Sequence, residues 1–143
     1  MDNKARIIPS LSYQNAREAI QWLRKTFDFE EHAAYPTEDG QIAHAQLTYK
    51  GNMIMIGSTE SGSAYSKLIK HPSEIEGFVT QSTYIIIDED EIDMHYERAK
   101  VNGAEILLEL KSEDYGGKNY TCRDLEGYIW NFGSYDPWVE GDS

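Results

Sequence analysis

Between Ala16 and Phe27 the apolar residues Ala16, Ala19, Ile20, Leu23 and Phe27 recur at spacings of three, four and seven. That is the spacing of one helical face, and it predicts a helix over 16–27. Asn15 precedes it and Glu18 follows three residues later, the pattern of a capping box. Residues 6–13 (RIIPSLSY) read as a strand, with Gln14-Asn15 as the turn into the helix. Strands follow over 29–35, 42–49 and 53–56. Asp39-Gly40 supplies the usual hairpin pair, and Lys50-Gly51-Asn52 a second tight turn.

Residues 58–77 lose this periodicity and are dominated by Ser, Gly, Lys and Glu, which predicts a linker with one helical turn near Tyr65–Ile69. The order then repeats. Residues 82–87 (STYIII) read as a strand, and 91–101 as a helix with Ile92, Tyr96 and Ala99 on one face. Asn102-Gly103 ends that helix. Strands are predicted over 105–110, 119–123 and 129–134, with turns at Tyr115-Gly116-Gly117 and Asp124-Leu125-Glu126-Gly127. The two helices start about 75 residues apart, a spacing that signals internal duplication. The reading is one α+β domain of two strand–helix–three-strand (βαβββ) units over 6–57 and 81–137, joined by a linker over 58–80. Together the units are expected to shape a small-molecule cavity.

Composition narrows the function classes. The chain has 143 residues and a formal net charge of −12. Nucleic acid is a poor partner for it, because phosphates call for Lys and Arg. The acidity suits solubility, and it also attracts a cationic ligand. The apolar runs are too short to span a membrane, and Met1-Asp2-Asn3-Lys4 carries no apolar signal segment. A cytoplasmic location is therefore expected. A single cysteine, Cys122, excludes an internal disulfide framework and a Cys-rich zinc site. There is no nucleophile elbow, phosphate-binding Gly-Lys loop or dinucleotide fingerprint.

The second half carries more specific signals. Tyr115-Gly116-Gly117 is followed by Arg123-Asp124-Leu125-Glu126-Gly127-Tyr128-Ile129-Trp130-Asn131-Phe132-Gly133-Ser134-Tyr135-Asp136-Pro137. Asn15-Ala16-Arg17-Glu18-Ala19-Ile20 and Ala43-His44-Ala45-Gln46-Leu47 add to it in the first half. This pattern resembles the glyoxalase/bleomycin-resistance/dioxygenase superfamily, the vicinal oxygen chelate fold, and within it the bleomycin-resistance-like branch. The resemblance implies two βαβββ units with curved mixed sheets enclosing a cavity, and a homodimer. The motif also reads physically. Asp124 can accept bonds from backbone amides in its loop. Trp130 and Phe132 alternate with Asn131, which puts the aromatic pair in the core and Asn131 on the opposite face.

In metal-dependent relatives the resemblance implies four His or Glu ligands, from the first and fourth strands of each unit. Those positions fall near Ile8, near Met55, near Gln81 or Thr83, and at Asn131. None is His, Asp, Glu or Cys, so neither a metal nor another cofactor is expected. The polar strand residues Ser10, Ser12, His44, Gln46, Tyr84 and Asn131, with Tyr135, are the candidate ligand contacts. His44 is a ligand contact and proton carrier if its face is the cavity face; otherwise it is a histidine satisfied on the outer face or at a dimer contact. Tyr35, Tyr120, Tyr135 and Trp138 are candidates for stacking on a flat or cationic ligand, or for core packing. His32, His71 and His95 read as surface residues, and Cys122 as a small core residue. The acidic run Asp88–Glu91 with Asp93 reads as helix-end stabilisation, or as an electrostatic lure for a cationic ligand.

Two readings follow, beside a third in which the chain is an accessory or structural protein with no ligand. The first is a metal-free protein that binds, and sequesters, a cationic or aromatic compound in the manner of bleomycin-resistance proteins. The second is a lyase, isomerase or dioxygenase of the same superfamily, which the unfilled ligand positions disfavour.

Overall fold

The order of elements along the chain is a strand, a helix and three strands, given twice. The structure, a computed structural model, describes residues 6–59 and 62–139. The chain divides into two compact units, one ending at His71 and the other beginning at Pro72. Each has its own sheet and helix.

The first unit contains β1 (Ser10–Tyr13), α1 (Ala16–Phe27), β2 (Glu30–Pro36), β3 (Ile42–Tyr49) and β4 (Asn52–Ser58). They form a four-stranded mixed sheet in the order β1-β4-β3-β2, with β1 parallel to β4 and the other pairs antiparallel. α1 spans the predicted residues. The Asn15 side chain accepts a bond from the Glu18 amide at 3.1 Å and donates to the Glu18 carboxylate at 3.1 Å. At the far end Asp28 takes a left-handed conformation, φ 69°, which stops the helix. The expected apolar face is buried, with Thr26 added to it. It packs on one face of the sheet, where Ala45, Leu47, Ile54 and Ile56 are buried. Each fully buried Leu, Ile or Phe contributes about 1.5–3 kcal/mol. β1 is shorter than the 6–13 predicted: Ile7 and Ile8 are exposed and precede the strand. Pro9 lacks an amide proton, though its carbonyl still accepts from Met55 N at 2.9 Å.

The second unit contains β5 (Thr83–Ile86), α2 (Ile92–Val101), β6 (Glu105–Ser112), β7 (Lys118–Arg123) and β8 (Ile129–Gly133). Its sheet runs β5-β8-β7-β6, again with the outer pair β5–β8 parallel and the rest antiparallel. The two units therefore share one topology. Trp130 and Phe132 are buried on the helix-covered face with stacked rings at 6.3 Å, beside buried Tyr120 and Cys122. Asn131 points the other way, as alternation requires.

Between the strands of the two units lie single 3-10 turns at Tyr65–Leu68 and Pro72–Glu74. The first is the helical turn expected near Tyr65–Ile69. Two histidines depart from expectation. His71 is buried, as is Pro72 after it in the chain. His95 is also buried: α2 turns Ile92, His95 and Ala99 inward. The His95 ring lies 4.4 Å from Phe132, and its Nδ1 is 2.7 Å from the Tyr120 hydroxyl. The aromatic wall of β7 and β8 gives that imidazole an apolar seat and a polar partner, so it is not a solvated residue. No helix among the described residues is long and apolar enough to cross a membrane.

Candidate functional site

In each unit the helix covers one sheet face and leaves the other open. The strand registers decide which side chains that open face carries. In the first unit, Tyr35 pairs with His44, His44 with Gly57, and Gly57 with Ser12. In the next row Ala33 pairs with Gln46, Gln46 with Met55, and Met55 with Ser10. The sequence candidates Ser10, Ser12, His44 and Gln46 therefore share one face, opposite buried Ala45 and Leu47. His44 stacks on Tyr35, ring centroids 6.0 Å apart and planes 18° apart. The Gln46 amide nitrogen lies 3.2 Å from His44 Nε2. In that contact the amide nitrogen donates and Nε2 accepts. Gly57 leaves a gap in this row between His44 and Ser12.

The second unit carries the same grid with different chemistry. Tyr84 pairs with Asn131, Asn131 with Thr121, and Thr121 with Leu108. By register Tyr84 corresponds to Ser10, Asn131 to Met55, Thr121 to Gln46 and Asn119 to His44. Over this face lies a groove of about 540 Å³, its floor formed by Tyr84, Leu108, Asn119, Thr121 and Asn131 and its wall by Tyr115 and Tyr135. Lys111 and Glu113 also line it.

Local sequence builds that wall. Gly117 sits at φ 75°, and a side chain there would lie 2.7 Å from Ser134 Oγ and from Tyr135 N, so only glycine lets the turn press against the tail. Ser134 Oγ accepts from Lys118 N at 3.0 Å, and Ser134 N donates to Lys118 O at 2.9 Å. The staple brings Tyr115 and Tyr135 edge to face, 4.9 Å between centroids and 79° between planes. Tyr84 Oη donates to the Tyr135 carbonyl at 2.7 Å, and Asn119 donates to Tyr115 Oη at 2.9 Å. Burial pushes the Tyr84 phenol above its ordinary range, with the charges of Tyr115 and Asp136 adding to the shift. It is therefore a neutral hydroxyl.

The Asn131 amide is held from three sides. Its nitrogen donates to Ser82 Oγ at 3.0 Å and to the Thr83 carbonyl at 3.1 Å, and its oxygen accepts from Thr121 Oγ1 at 2.9 Å. Asn131 is thus a fixed part of the groove floor. The register also refines the fifth-strand ligand position expected at Gln81 or Thr83. Ser82 lies two residues before Tyr84, as Ile8 lies two before Ser10, so Ser82 is the counterpart of Ile8. Hydrocarbon and thioether at Ile8 and Met55, and hydroxyl and amide at Ser82 and Asn131, do not make the donor set of a divalent metal centre. Among the described residues, the cluster of three carboxylates with converging oxygens is Asp88, Asp90 and Glu91, exposed at the start of α2.

Tyr120, a stacking candidate, is buried in the core instead. The sequence pattern does not single out Tyr115, Asn119, Thr121 or Leu108 as groove residues, Tyr115 being read only as part of a turn. Asn119 and Thr121 alternate with buried Tyr120 and Cys122, and that period of two is the available signal.

A family model described as Glyoxalase/Bleomycin resistance protein/Dioxygenase superfamily matches residues 9–132. An uncharacterized protein of Mycobacterium bovis is 26% identical over 125 residues, covering 87% of this chain and 80% of that protein. Among solved structures, TioX from Micromonospora sp. ML1 superimposes with a TM-score of 0.72 at 26% identity, over 91% of this chain and 98% of that one. The fosfomycin resistance protein FosX from Listeria monocytogenes does so with a TM-score of 0.67 at 14% identity, over 94% and 96%; at that identity the likeness is one of fold. A match over nearly all of the two sheets, with the same doubled topology, makes this chain a member of the glyoxalase/bleomycin resistance protein/dioxygenase superfamily.

Proposed function

We propose that this protein is a metal-independent small-molecule-binding protein, and that it sequesters a flat aromatic or cationic compound on the open face of its second unit. The observation that carries this reading is the pairing of a tyrosine-walled groove with an Asn131 amide already committed to Ser82, Thr83 and Thr121. Such a floor can position a ligand but offers no site for a Lewis acid. Aromatic faces at Tyr115 and Tyr135 supply stacking area, and Leu108, which is 64% exposed, supplies apolar contact. The net charge of −12 favours the approach of a cation. Binding would be stoichiometric capture without turnover, as the family's bleomycin-resistance name suggests.

The reading extends to a homodimer in the cytoplasm, with a small molecule rather than nucleic acid as partner. Light scattering on the purified chain tests the dimer. The binding claim is tested by titration calorimetry and thermal shift against cationic and aromatic antibiotics, with and without EDTA. One-to-one binding that is indifferent to EDTA is the expected result. No response across the panel, or a response that requires added metal, would overturn the proposal.

A further inference from the structure

The hydrogen bonds inside the groove have a direction, and that direction limits what the floor can recognise. Tyr84 Oη meets the Tyr135 carbonyl, which can only accept, so the phenol proton is spent there. Asn131 meets the Thr83 carbonyl, so the contacting atom is the amide nitrogen and the amide oxygen faces Thr121. Thr121 Oγ1 must then donate, and its proton is spent too. What remains toward the groove is a row of oxygen lone pairs on Tyr84, Asn131 and Thr121. These three residues are neighbours across β5, β8 and β7. Among the other lining groups, Lys111, the second N–H of the Asn119 amide and the hydroxyls of Tyr115 and Tyr135 can donate; they lie outside this row of three, and Lys111 shares the lining with Glu113.

We infer that the Tyr84–Asn131–Thr121 row of the groove floor is an acceptor surface, selecting a ligand that presents N–H donors, a protonated amine or amidine, from a flat apolar body over an anion of the same shape. This rests on the binding reading above and names its ligand class. The acceptors cannot reverse to suit an anion. Turning the Asn131 amide would set its oxygen against the Thr83 carbonyl, and releasing the Tyr84 proton would break the bond to Tyr135.

Two probes of one shape separate the cases: 1-naphthylmethylammonium and 1-naphthylacetate. Each is titrated into the full chain with amide resonances followed by NMR. The ammonium probe is expected to bind about tenfold tighter or more, the worth of one charge-assisted hydrogen bond, and to shift the resonances of Asn119, Thr121 and Tyr135. Thr121→Val keeps the shape of the floor but removes an acceptor together with the bond that fixes the Asn131 oxygen, so it should cut that preference and lower the thermal midpoint modestly without unfolding the chain. Equal or tighter binding of the carboxylate at the same resonances would overturn the inference and leave the binding groove standing. Failure of both probes to move those resonances would overturn the groove itself.

Discussion

The ring of Tyr84 lies over Gly133, in the space where any other residue would carry a side chain. A Cβ on Gly133 would sit 2.7 Å from Tyr84 Oη, 3.0 Å from Tyr84 Cε1 and 2.7 Å from Asn119 Cβ. Gly133 is not needed for its backbone angles; it is needed for this close approach. Gly133→Ala should therefore displace Tyr84, break its bond to the Tyr135 carbonyl and cost about 1–3 kcal/mol, the usual range for overpacking. Urea unfolding measures the loss. Tyr84→Ala in the same chain should recover part of it, and the contact with Asn119 should keep the recovery incomplete. A Gly133→Ala protein of unchanged stability would contradict this account of the groove floor.

Gly133 pairs with Asn119 as Gly57 pairs with His44, yet of these two a Cβ would clash only at Gly133, and contacts of that kind mark the limit of what was legible in the sequence. The doubled order of elements, the helix over 16–27 and the strand over 42–49 follow from periodicity and turn residues, because there burial and local propensity agree. The inward turn of Trp130 and Phe132 follows from alternation alone. What was not legible depends on contacts distant along the chain. His95 stands three residues after Ile92 and four before Ala99, on the inward stripe of α2; its polar ring argued for solvent, and Tyr120 and Phe132 are what seat it. His71 lies in a stretch with no period to read. The direction of the Asn131 amide is set by Ser82 and Thr83, nearly fifty positions away. The spatial pairing of Tyr115 with Tyr135 depends on a glycine turn pressing on the tail.

Asp124 is the anchor of the last hairpin. One carboxylate oxygen accepts from Glu126 N at 2.9 Å and Tyr128 N at 3.0 Å, and the other from Trp130 Nε1 at 3.0 Å. The residue is buried, so water cannot replace it. Asp124→Ala should strand these donors and cost about 3 kcal/mol. Its signature should be a change in tryptophan emission, since the Trp130 indole loses its partner. Asp124→Asn should be milder, because an amide oxygen can still serve one of the two sets of donors.

A metal requirement can be excluded or established by stability alone. An ion held at a hundredfold excess over its dissociation constant stabilises the folded chain by about 2.7 kcal/mol. The residues Ile8, Met55, Ser82 and Asn131 predict no such gain. Neither EDTA nor added Mn²⁺, Zn²⁺ or Ni²⁺ should move the thermal midpoint, and ligand affinity should be the same before and after chelation. A midpoint that rises by several degrees with one equivalent of any of these ions would require a ligand set that those four positions do not supply.

The core of the second unit should give the protein an alkaline limit. Burial, and then the charge of Asp124, pushes the Cys122 thiol from 9.0 up to about 12. Burial raises the Tyr120 phenol from 10.0 as well, with Cys122 and Tyr96 adding to it. Both groups hold their protons in the folded chain at pH values where the unfolded chain has released them. Folding then binds protons, so stability is complete below pH 9.0 and falls as pH rises from there toward about 12. The urea midpoint should be level between pH 7 and about 8.5 and decline above 9, the unfolded thiol value. Cys122→Ala should delay the decline into the range of Tyr120, beginning near 10.0. A thiol reagent gives an independent reading: Cys122 should react slowly in the native protein at pH 8 and quickly in urea, because the thiolate that reacts is the form burial suppresses. Rapid labelling of the native chain, together with a urea midpoint level to pH 11, would mean that the β7–β8 core admits water.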